Sequence, residues 1–78
     1  MMAVDMTTGS EALFASHVQR SQHPTAASIR AAVASMVERL GPAGCAAMVA
    51  QEFGEHPDCA LGRMQWARRA VQTAFAMA

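Results

Sequence analysis

The cysteines and histidines that invite a metal or a nucleophile are few: Cys45 and Cys59, with His17, His23 and His56. Zinc requires three or four such groups converging, and Cys45, His56 and Cys59 follow none of its common spacings. His56 and Cys59 stand three apart across an expected helix start, near enough to hold two ligands. Cys45, by contrast, sits in an alanine-rich segment where a free thiol behaves as a small buried hydrophobe. The same pair would need a third, orienting group and a pocket to act as nucleophile and base, and a small helical bundle has little volume for one. Cys59 is placed to react with oxidants, but no resolving thiol stands beside it. Glycine-rich phosphate loops, metal-type acid clusters and polybasic runs are all missing. The expectation is a chain that is not an enzyme and has no metal and no cofactor.

What remains is the chemistry of arginine. Six arginines face six acids and there is no lysine, so the formal charge is zero and the chain as a whole has no pull on polyanions. The distribution is uneven: Pro57 to Ala78 carries Arg63, Arg68 and Arg69 against the single Asp58, so the C-terminal stretch is locally basic. Lys, Asn and Tyr are absent beside plentiful Ala and Arg, a usage that points to a GC-rich bacterial genome.

The elements that hold these residues read as helices. Apolar residues make up 53% of the chain but aromatics only 5%. With β-branched residues also too sparse for several strands, an all-α fold is expected. Residues 1–9 have no period and read as a disordered tail. A single helical domain covers 10–78. Its first helix is expected near 11–20, from Ser10, where Thr8 and Glu11 have capping-box spacing, through Leu13, Phe14, His17 and Val18. Pro24 restricts His23 to extended geometry, and Thr25 caps a second helix over 26–40 with Ile29, Val33, Met36, Val37 and Leu40 on one face. Gly41 and Pro42 end that helix and open a third over 43–53, carrying Met48, Val49 and Phe53. Gly54 closes it, Glu55 and His56 form a turn, and Pro57 starts a fourth helix over 57–76 with Leu61, Met64, Val71 and Phe75 inward. Asp58 favours that helix start. The expected core is Leu13, Phe14, Val18, Ile29, Val33, Met36, Leu40, Val49, Phe53, Leu61, Met64 and Val71.

Over residues 46–69, Ala50, Gly54, Cys59, Ala60, Arg63, Met64, Ala67 and Arg68 occupy the spacing of a helix-turn-helix. The segment resembles that motif in bacterial transcription regulators, in particular the region-4 type of extracytoplasmic-function sigma factors and LuxR-like regulators. The resemblance implies that Ala50 lets two helices approach, Gly54 makes the turn, and Ala60 with Met64 seats the second helix on the first. It further implies that the start of the terminal helix enters a major groove, with Arg63, Gln65, Arg68 and Arg69 as contacts to duplex DNA. Glu52, Glu55 and Asp58 depart from the pattern by setting acid near the phosphates, and Gly62 weakens the recognition helix by roughly 1 kcal/mol relative to alanine.

Trp66 stands about 200° around the helix from Met64, off the expected inward stripe. With Ala70 and Met77 it would anchor a protein interface, since tryptophan is enriched among such anchors. Alternatively the first helix folds over it and completes the monomer core. The chain has 78 residues. A domain so short buries only about 60% of its unfolded surface, so a homodimer would relieve a marginal stability. The leading expectation is a small bacterial DNA-binding regulator, dimeric; the other is a helical protein-interaction module that binds no nucleic acid. Two cysteines make no disulfide framework, and neither a membrane span nor a signal peptide is legible, so a cytoplasmic location without membrane attachment is expected.

Overall fold

The computed structural model describes residues 5–76. Within them the chain is all helical, with three α-helices: α1 (Met6–Ala15), α2 (Ala26–Glu55) and α3 (Pro57–Ala76). A 3-10 turn at Arg20–Gln22 lies between α1 and α2, and each helix packs on both others. No helix of the described residues is long and apolar enough to cross a membrane.

α1 begins at Met6, four residues before the start expected near Ser10, so residues 6–9 of the expected tail are helical. Asp5 is the cap: its carboxylate accepts the Thr8 N–H at 2.7 Å, satisfying one of the free donors of the first turn. The helix also stops early, at Ala15 rather than near Arg20. Ser16 is extended (φ −76°, ψ 175°). Its hydroxyl donates to the Leu13 carbonyl and accepts the Val18 N–H, an alternative to helix that serine readily offers the backbone. His17 and Val18 are left outside the helix. His23 then takes a left-handed conformation (φ 50°) ahead of Pro24. Thr25 caps α2 as its position predicts, accepting the Ser28 N–H at 3.1 Å.

Four helices are expected and three are found. α2 takes in the two at 26–40 and 43–53, which meet at a kink where Gly41 alone leaves helical geometry (φ 70°, ψ 168°) with Pro42 following, at the break expected there. That combination of angles is one that only glycine adopts without strain. Gly54, expected to end a helix, lies inside α2 without a positive φ, and the turn is made by His56 alone (φ −140°, ψ 66°). Pro57 follows directly as the first residue of α3, where its missing N–H costs nothing.

The core unites Ala12, Leu13 and Phe14 of α1, Ile29, Val33 and Met36 on one face of α2, Cys45 beyond the bend, and Ala60, Ala67, Val71 and Ala74 of α3. Leu13, Val33 and Val71 are all but fully covered, each worth about 1.5–3 kcal/mol of burial. Val18, Val49, Phe53 and Met64 pack against this cluster, and the Phe14 and Phe53 rings stack at 6.1 Å. Two expected core residues and one stripe residue are exposed instead: Leu40, Leu61 and Met48. For α3 the cause is its facing side, which is set by alanines at 60, 67 and 74. They permit the closest approach of backbones, and they turn Leu61, one position on and about 100° away, outward.

Gly41→Ala should therefore lower stability by about 1–3 kcal/mol, since a side chain at that backbone conformation is strained although the space around it is empty. Gly54→Ala and Gly62→Ala, at helical positions with open space, should each raise it by roughly 1 kcal/mol. Thermal denaturation of the three variants, where about 1 kcal/mol corresponds to about 4–8 °C, distinguishes the two signs.

Candidate nucleic-acid interface

α3 is seated on its alanine side, and the opposite side is exposed. At about 100° per residue, Gln65, Arg68 and Arg69 fall within one arc of roughly 100°, and all three are exposed. Asp58, Leu61 and Gln72 share that arc and are exposed too. The helix start is open: Pro57, Asp58 and Cys59 are exposed. Arg68 borders a groove with Met6, Glu11 and Met64, so an α1 carboxylate lies on its side of the arc. Arg69 is on the other side.

Arg63, expected as the first of the DNA contacts, is engaged inside the fold. Its Nε donates to the Phe14 carbonyl at 2.9 Å, and one terminal nitrogen reaches the carbonyls of Leu13 (3.3 Å), Ser16 (2.9 Å) and Val18 (3.0 Å). Phe14 lies in the last turn of α1 and Ser16 and Val18 just beyond it, while the Leu13 carbonyl also accepts the Ser16 N–H and hydroxyl; a cation is favoured at that pole of a helix. The guanidinium carbon lies 5.7 Å from the Phe14 ring centre and 5.4 Å from that of Trp66. Burial pulls the Arg63 pKa below its ordinary value, but a guanidinium keeps its proton at any physiological pH.

Trp66, expected at an interface, is half-buried, packs against the core cluster and forms one wall around Arg63. Ala70 is half-buried against the core, and Met77 lies outside the described residues. Of the residues that carry the helix-turn-helix spacing, Ala60 and Ala67 are buried and Met64 half-buried, but Ala50 is exposed and stands apart from the core cluster. A second arginine is also used internally: Arg30 of α2 donates to the Ala74 carbonyl in the last turn of α3 at 2.8 Å.

The cysteines do not meet. Cys45 is fully buried with its thiol directed at the Met36 carbonyl, while Cys59 is exposed on the first turn of α3. Burial, and to a lesser degree the charge of Glu11, pushes the Cys45 pKa up, because both disfavour the thiolate. Among the described residues the one group of possible metal donors is Glu52, Glu55 and His56. Spacing rules for cysteine and histidine pass over it, yet a signal is present, since Glu52 and His56 are four apart, one helical turn.

Comparison with protein-family profiles, curated proteins and solved structures returns no significant match to this chain.

Arg63→Met, which keeps the stem but removes every donor, should cost about 2 kcal/mol or more, because it leaves several partly buried carbonyls unpaired; Arg63→Lys should not restore it, lacking the planar fork. Urea titration of both variants reads this directly. Thiol labelling of the native chain should modify Cys59 rapidly and Cys45 only on unfolding. Because the folded Cys45 pKa is raised, its contribution to stability is complete below the ordinary thiol pKa and is lost as pH rises through the raised value.

Proposed function

We propose that the chain is a small, non-enzymatic bacterial DNA-binding regulator that lays the outward face of α3 in a major groove, with Gln65, Arg68 and Arg69 as its contacts. The observation that supports it is the joint exposure of these three residues on one side of α3, beside an exposed helix start. Arginine's fork suits guanine or phosphate oxygens, and glutamine's amide suits adenine. The corner at His56 is tighter than the three- or four-residue turn of the usual motif. The proposal therefore concerns a pair of helices that present a recognition face, not that turn. Arg63 is not among the contacts, being held by the end of α1.

The chain is neutral. With few phosphate contacts it binds weakly, and its binding falls with salt as counterions are released. Two phosphate contacts per chain correspond to a slope of log K against log salt of about −2. Fluorescence anisotropy on mixed-sequence duplex at low salt should give a complex with such a slope, and removing Arg68 or Arg69 by alanine should reduce it by about 1. Absence of any complex at low salt overturns the reading.

A second reading, contact with a protein, is favoured by Leu61, which is 52% exposed on the same arc. Its simplest partner is a second copy, which would add the burial that so short a chain lacks. Sedimentation of the wild type and Leu61→Glu reads this: a dimer that the charge dissociates supports it, and a monomer in both cases removes it. Trp66→Ala is the wrong probe, because that ring holds Arg63.

A further inference from the structure

α2 ends on two carboxylates followed by an imidazole, and one donor atom from each of Glu52, Glu55 and His56 lies within 4.8 Å of the other two. Donors bound to one ion at about 2.0–2.2 Å sit about 3 Å from each other, so these exposed side chains need move no more than about 2 Å at their tips to share one. The backbone beneath them is set. The His56 N–H donates to the Glu52 carbonyl at 2.7 Å, which keeps the two side chains one turn apart up to the corner, and Ala60 of α3 donates to the His56 carbonyl at 2.9 Å.

Charge compensation at this corner is partial: Arg63 borders a groove with Glu52, and the positive pole of α3 starts two residues after Glu55. The last turn of α2 has no basic residue. It is also the negative pole of the helix, so Glu52 and Glu55 oppose both each other and the exposed carbonyls. The amide of Gln51, donating to Glu55 at 3.3 Å, brings no charge. A bound cation would satisfy all three at once. The imidazole selects among cations: two carboxylate oxygens and one nitrogen suit the borderline transition ions better than magnesium or calcium, which take oxygen alone.

We propose that Glu52, Glu55 and His56 form a site for one divalent transition-metal ion of the zinc and cobalt class, with water in the remaining positions. Such a site is independent of what the outward face of α3 binds. It braces the single-residue corner, because its ligands span the last turn of α2 and the residue from which α3 departs.

The test uses the tag-free chain, titrated with zinc by calorimetry and with cobalt by its visible absorption. One ion per chain is expected, with a higher midpoint of thermal unfolding in its presence. Glu52→Gln and His56→Gln should each lose at least the roughly tenfold in affinity that removal of a mere outer-shell partner costs. His17→Ala, His23→Ala and Cys59→Ser should bind as the wild type does. All five substitutions are at exposed positions, and circular dichroism confirms that each variant is folded. No uptake by the wild type, uptake undiminished in His56→Gln, or uptake abolished by one of the last three substitutions each overturns the proposal.

Discussion

The end of α1 is held by one side chain from the far part of the sequence. Arg63 takes up carbonyls at Leu13, Phe14, Ser16 and Val18 between the rings of Phe14 and Trp66. Without it the helix would finish against the core with acceptors unpaired, a condition that folded proteins avoid. The contact also fixes orientation. A planar fork that must meet several carbonyls sets α1 both along and around its axis relative to α3, which no apolar contact between alanines could do.

That constraint decides what α3 has left to offer. Two arginines, Arg63 and Arg30, are used on the carbonyl ends of α1 and α3, and both contacts join segments more than forty residues apart. The alanines of α3 bring the helices close at little side-chain entropy, but they bury little area each, so polar fastening at the helix ends supplements a thin core. The consequence is a helix with one side wholly committed to the fold and a clear opposite side, on which Gln65, Arg68 and Arg69 collect. Trp66 belongs to the committed half.

Much of this is legible in the residue order, and the failures have identifiable causes. The helical class, the Thr25 cap, the inward face of Ile29, Val33 and Met36, and the Pro57 start follow from local rules that the structure obeys. Leu61 and Leu40 depart from expectation because size is no sign of burial where α3 packs by its smallest residues. Gly54 and Gly41 look alike in sequence; tertiary packing uses the positive φ at only one of them. The role of Arg63 has no local signal at all, since its partners are backbone atoms of residues whose side chains say nothing about it. Charge and position on the helix mark Arg68 and Arg69 correctly as exposed, but cannot tell them from an arginine turned inward.

The distance along the chain between Arg63 and the carbonyls it serves has a consequence for biosynthesis. During translation α1 emerges first, yet the guanidinium that takes up the carbonyls just past its end is added some forty-five residues later. Until then the nascent segment is a ten-residue helix, too short to persist alone in water. The domain therefore closes only after α3 has left the ribosome, and chains stalled before that point present an unsealed apolar segment to whatever quality-control machinery surveys them.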